Sequence, residues 1–113
     1  MIYTPMTNQE IFTKVKNHLL QQKRRSVNKK GRCVYRGENG LKCAIGCLIP
    51  DELYDPDFDN SGLKTINLFC KLGFYISENY DLLYSLRVVH DYEKIEEWED
   101  CLKNTAFNFN LEY

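Results

Sequence analysis

The chain has 113 residues, enough for one hydrophobic core and too few for a second, so residues 1–113 are expected to form a single globular domain. Its 43% hydrophobic and 13% aromatic content excludes a disordered chain, and 15 Lys and Arg against 16 Asp and Glu leave a net charge of −1 that selects no partner. No apolar run approaches the roughly 18 residues of a membrane span, and the opening MIYTPMTNQE lacks the basic start and apolar stretch of a signal peptide. Five cysteines, an odd number, then read as reduced thiols of a cytosol.

Charge is uneven along the chain. Lys23, Arg24, Arg25, Lys29, Lys30 and Arg32 crowd one segment, Asp51, Glu52, Asp55, Asp57 and Asp59 a second, and Glu93, Glu96, Glu97, Glu99 and Asp100 a third. Such a molecule is bipolar, with a basic edge and acidic faces. Eight Tyr and six Phe exceed what one small core readily hides. Tyrosines can sit at the core rim with wet hydroxyls, or some rings can serve an interface.

In chain order, Thr7-Asn8-Gln9-Glu10 is a capping-box pattern. Ile11, Phe12, Val15 and Leu19 recur at helical spacing, predicting a helix from about Asn8 to Gln22 with His18 beside its apolar stripe. A polar, basic loop follows, stopped by Gly31. Cys33 to Arg36 alternates like a strand, Asn39-Gly40 is a tight-turn signal, and Leu41 to Cys43 can return as the partner strand, which predicts a short β-hairpin. Ala44 to Ile49 is apolar throughout; as a short helix it puts Cys43 and Cys47 on one face. Pro50 suits the first turn of a further helical piece. Leu63 to Leu72 predicts a strongly apolar helix stopped by Gly73, and Leu82, Leu83, Leu86 and Val89 one from about Glu78 to His90. Asp91 can cap a last helix carrying Ile95, Trp98, Cys101, Leu102 and Thr105. The ending AFNFNLEY either pairs as a strand or packs as a tail. The expected fold class is α+β, about four helices around one short hairpin. Its core should include Phe12, Val15, Leu19, Ile45, Leu48, Ile66, Phe69, Leu86, Val89, Trp98 and Leu102.

Three chemistries can be set against plainer readings. Cys43, ahead of a short helix, with His90 and Asp91 would give a nucleophile, a base and an orienting carboxylate for a thiol-dependent hydrolase or transferase. Neighbours on a helix point about 100° apart, however, so Asp91 is poorly placed to orient His90. The plainer reading makes Cys43 a small buried apolar residue and His90 a structural hydrogen-bonder. Cys33, Cys43 and Cys47 with His90 or Cys70 are of the right types for zinc, but the spacing lacks a C-x2-C knuckle. Asp55, Asp57 and Asp59 imitate the opening of a calcium loop without its closing carboxylate, Ile66 standing at the twelfth position. No phosphate-loop or dinucleotide fingerprint is present, and no cofactor is expected.

The remaining feature is the basic segment. Lys23, Arg24, Arg25, Lys29, Lys30 and Arg32, with Tyr35 and Arg36 beside them, combine phosphate-gripping cations with the residue types that anchor interfaces.

The run GRCVYRGENGLKCAIGCLIPDELYDP with LLYSLRVVHDYEKIEEW downstream resembles a family of small, uncharacterised proteins encoded by bacteriophages and prophages. The resemblance runs from about Gly31 to Leu102 and carries no chemistry onto Cys43, Tyr35 or His90. It implies a phage-type accessory protein made in a bacterial host cytosol, acting by binding a host macromolecule, a protein ahead of a nucleic acid. Catalysis through Cys43 and His90, and nucleic-acid binding through residues 23–36, are the alternatives.

Overall fold

A computed structural model describes residues 6–56, 58 and 76–113, with the side chains of 76–78 left aside. Helix α1 spans Asn8–Gln22. The capping box forms: Thr7 Oγ1 accepts the Glu10 N–H at 3.1 Å, and Glu10 Oε1 accepts the Thr7 N–H at 3.0 Å. The helix ends where Lys23 turns left-handed at φ 48° and donates its N–H to Leu19 O. Ile11, Phe12, Val15 and Leu19, spaced by three and four residues, are its buried stripe.

Helix α2 spans Ile76–Tyr92, and a 3-10 turn at Ile95–Glu97 leads into helix α3, Trp98–Asn108. The three helices pack on one another pairwise. Leu82, Leu83, Leu86 and Val89 from α2 and Trp98, Leu102 and Ala106 from α3 close on the α1 stripe. Each fully buried aliphatic or aromatic side chain contributes about 1.5–3 kcal/mol of transfer free energy. After α3 the chain folds back across α1 as a tail. Gln9 exchanges hydrogen bonds with the Glu112 backbone at 2.8 and 2.9 Å, and the Tyr113 ring lies 6.3 Å from that of Phe12.

Two expectations need correction. Asp91 does not cap the last helix; it lies inside α2, its carboxylate drawn to His90 and Arg87. The α+β class with a central hairpin gives way to a mostly helical architecture, because no sheet forms among the described residues. Asn39 and Gly40 do turn through positive φ, 61° and 75°. Pairing around them stops at one antiparallel bridge, Arg36 with Lys42, and Val27 with Cys33 makes a second isolated one. The ladder fails on both sides of that bridge. Toward the turn, Glu38–Gly40 tightens into a 3-10 turn in which Leu41 N–H donates to Glu38 O at 3.2 Å, and the Glu38 N–H points at Val27 O. Beyond Cys43 the chain coils into a turn and the 3-10 segment Gly46–Leu48.

That coil fills the space under α1. Cys43, Ala44, Ile45, Leu48 and Ile49 are buried there, and the 3-10 turn Asp51–Leu53 follows Pro50. Every expected core residue within the described part is buried; Ile66 and Phe69, like the expected 63–72 helix, lie outside it.

Gly46 fixes how closely the coil approaches the segment before the turn. A Cβ there would stand 1.9 Å from the carbonyl oxygen of Tyr35, which also accepts the Cys43 N–H. The obstruction is backbone, which cannot swing aside. Gly46→Ala is expected to lower stability by about 1–3 kcal/mol or more, read as a lower urea midpoint; an unchanged midpoint would contradict this packing.

Candidate functional site

The basic segment is folded, not a solvated string. Ser26, fully buried, sits at its root. Its Oγ donates to Val34 O at 2.8 Å, its carbonyl accepts the Val34 N–H at 3.0 Å, and its own N–H donates to His90 Nε2 at 2.9 Å. An N–H donor leaves Nε2 no proton of its own. The ring proton is therefore on Nδ1, which donates to Asp91 Oδ1 at 2.6 Å. Arg25 adds a second clamp, donating to the carbonyls of His90 and Glu93 at the end of α2 while its guanidinium lies over Trp98.

From this root a tight loop projects. Asn28 Oδ1 accepts the N–H groups of Lys30 and Arg32 at 2.9 and 3.0 Å, Asn28 N–H donates to Arg32 O at 2.9 Å, and Gly31 N–H returns to Asn28 O at 3.0 Å. An Asn side chain closing its own turn is the local chemistry such a loop needs. Gly31 supplies the left-handed residue, φ 79°, with open space where a Cβ would be. Lys29, Lys30 and Arg32 are held out to solvent, as are Lys23 and Arg24 at the end of α1. None of these five cations has an ion-pair partner among the described residues.

The other residues expected on this surface serve the fold. Arg25 is the clamp just described. Arg36 donates to Ile49 O at 2.6 Å, pairs with Asp51 at 2.9 Å and stacks over Tyr54, with its Nε buried. Tyr35 packs half-buried against the core. The basic surface is therefore Lys23, Arg24, Lys29, Lys30 and Arg32.

Cys43, His90 and Asp91 do not make a nucleophilic set. Burial pushes the Cys43 thiol up to about 12, so it is a neutral thiol near neutral pH, even though Gly46 N–H points at its sulfur at 3.2 Å. Cys47 is likewise pushed up to about 12 by burial. The thiol beside the His90–Asp91 pair is Cys33, whose Sγ reaches the Asp91 carbonyl at 4.0 Å. Its pKa is raised as well, by burial first and then by the Asp91 charge. His90 cannot act as a base toward either sulfur, because its single lone pair is committed to Ser26 N–H. Asp91 does orient His90 despite being its sequence neighbour, its short side chain bending back to Nδ1.

The same geometry decides the metal question. Donor atoms of Cys33, His90 and Asp91 lie within 4.8 Å of one another, whereas Cys43 and Cys47, expected as zinc ligands, are not in that group. A metal on Nδ1 would leave the imidazole with no proton, since Nε2 must keep its lone pair for Ser26. Entry on Nε2 would strip a buried backbone N–H of its partner. The cluster fits a structural hydrogen-bond relay and not a metal centre. Of the aspartates resembling a calcium loop, Asp57 and Asp59 lie outside the described residues.

His18, the other histidine, is a core-edge residue. Its Nε2 meets Lys42 O at 2.8 Å, and burial lowers its pKa.

No protein-family model, curated protein or solved structure matches this chain. Among the described residues no helix is long and apolar enough to cross a membrane.

Burial alone would raise the Asp91 carboxyl. The hydrogen bonds from His90 and Arg87, with the Arg87 charge, outweigh it and hold the group below its ordinary value. The folded-state value is thus depressed, so the stabilisation is complete above the unfolded carboxyl's pKa and is lost as pH falls through the folded one. Asp91→Asn is expected to lower stability at neutral pH and to flatten the loss of stability on acidification. Urea midpoints taken from roughly pH 2 to pH 7 check this; an acid limb equally steep in the variant would contradict it.

Proposed function

We propose that this chain is a binding module of the phage accessory type, whose basic loop docks on an acidic surface of a host macromolecule in the bacterial cytosol, a protein ahead of a nucleic acid. The observation that carries the reading is the Asn28 turn, which holds Lys29, Lys30 and Arg32 outward on a fixed backbone. A loop ordered before binding does not lose that entropy on association, so its cations are worth more than the same charges on a loose segment. Unpaired exposed cations steer an acidic partner and set its register.

A protein partner is favoured because no aromatic residue interleaves with these cations along residues 23–32, as single-strand binders require. The thiol-enzyme reading lacks support at Cys43 and Cys33, both of whose thiols are raised.

The test is a parallel purification from bacterial cytosol with wild type and the Lys29→Glu, Lys30→Glu, Arg32→Glu triple variant. All three side chains are solvent-exposed, so the fold should survive, which a melting curve confirms. A partner retained by wild type and lost by the variant is the expected result. A partner held equally by both would sink the basic-loop reading. Tight binding to plain duplex DNA that collapses with salt would move the nucleic-acid alternative to first place.

A further inference from the structure

His90 is a fully buried ring that can take one more proton, and the root of the basic loop leaves that proton one place to go. Nδ1 already carries a hydrogen, donated to Asp91 Oδ1 at 2.6 Å, so the second must add at Nε2. Nε2 is the atom that accepts the Ser26 N–H at 2.9 Å. An N–H aimed at another N–H repels, and the buried Ser26 amide would lose its acceptor. The closed root therefore excludes the proton, and an opened root admits it. Several described groups bear on the ring's charge. Asp91 lies on the same helix, with Arg87 bound to its other carboxylate oxygen at 3.2 Å. Arg25 donates to the His90 carbonyl, and Cys33 brings its Sγ within 4.8 Å of a ring nitrogen. His18 on α1 is near enough for charge on the two rings to oppose, and the neutral Trp98 ring lies 5.7 Å away. The Asp91 carboxylate touches the imidazole directly and favours its charged form. Arg25 and Arg87, which oppose it, touch the main-chain carbonyl and the carboxylate instead.

We propose that His90 is a proton-operated release for the basic loop: a proton at Nε2 breaks the bond to Ser26, so residues 26–34 are held on α2 near neutral pH and loosened in acid. The proton binds, and the N–H of Ser26 turns to water; no other bond is made or broken. Arg25 stays in place, because its donors go to the carbonyls of His90 and Glu93 and not to the ring, and it becomes the hinge. The bonds from Ser26 to Val34 and from Asn28 to Lys30, Gly31 and Arg32 are internal to the loop, so it opens as a unit with its turn intact. What is lost is the fixed position of Lys29, Lys30 and Arg32 relative to the helices. Histidine is the side chain whose charge changes in the physiological range, and a local opening needs far less free energy than unfolding of the core. As regulation of docking, the proposal rests on the reading of this loop as the binding element; the release itself needs no partner.

Hydrogen exchange on the full chain alone, from roughly pH 7.5 to pH 5, tests the release separately from any partner. The Ser26 amide is followed against the α1 core amides, each corrected for the intrinsic pH dependence of exchange. One proton taken up on opening predicts that Ser26 protection falls by up to about tenfold per pH unit while α1 protection holds. His90→Gln keeps an acceptor that does not titrate, so Ser26 protection in that variant should be flat. Ser26 protection that is flat in the wild type, that falls only in step with the α1 amides, or that falls equally in His90→Gln would overturn the proposal. Should the variant not fold, the wild-type ring nitrogens decide the matter: Nε2 must gain its proton over the same pH range in which Ser26 loses protection, and a protonated Nε2 beside a still-protected Ser26 overturns it. A pH-operated loop that captures no partner would count against the docking reading alone, and a captured partner with a pH-indifferent loop against the release alone.

Discussion

Everything around the basic loop depends on one buried hydrogen bond, from the backbone N–H of Ser26 to Nε2 of His90. A backbone donor sealed from water must find an acceptor, and leaving it unmatched costs about 1–3 kcal/mol. Here the acceptor is a ring that Asp91 holds in one tautomer, while Arg87 holds Asp91. The relay joins a loop at residues 26–34 to a helix some 60 positions later in the chain. Arg25 ties the same two elements through the carbonyls of His90 and Glu93. The loop thereby inherits the rigidity of the three-helix core.

The relay also accounts for chemistry that is lacking. A thiol, a histidine and an aspartate stand together as Cys33, His90 and Asp91, the residue types of a nucleophilic triad or a metal site. What decides their role is the direction of the lone pair and not the proximity of the groups. With Nε2 accepting and Nδ1 donating, the ring has nothing left to offer a sulfur or a cation. Sequence composition alone could not make that distinction.

The helices were legible where local rules act alone. The capping box and the Ile11, Phe12, Val15, Leu19 stripe predict α1 with both its ends, because cap and stripe belong to one contiguous segment. The buried run from Cys43 to Ile49 was visible as apolar, and its 3-10 form follows from Gly46 pressing on Tyr35. The hairpin was misread because alternation says which side chains can face a core and says little about how far pairing extends. Gly37 passes so close to Val27 that a Cβ would lie 2.6 Å from the Val27 carbonyl oxygen; the Glu38 N–H points at that same oxygen, and Glu38 O closes a tight turn on Leu41 N–H where a ladder would have continued. Ser26 was missed for a different reason: its decisive group is a main-chain N–H, which every residue but proline carries. The basic run was legible as charge, but its division was not. Arg25 and Arg36 go to backbone carbonyls, and Lys29, Lys30 and Arg32 go to solvent, according to where each lies relative to Trp98, Ile49 and the Asn28 turn.

The most direct test of this account is the protonation pattern of the His90 ring in the native protein, read from two-bond nitrogen–proton correlations together with exchange of the Ser26 amide. The account predicts a proton on Nδ1, an unprotonated Nε2, and a Ser26 amide protected as well as those of the α1 core. A proton on Nε2, or a Ser26 amide exchanging at the rate of an open loop, would contradict it and free His90 for the chemistry that the relay denies it.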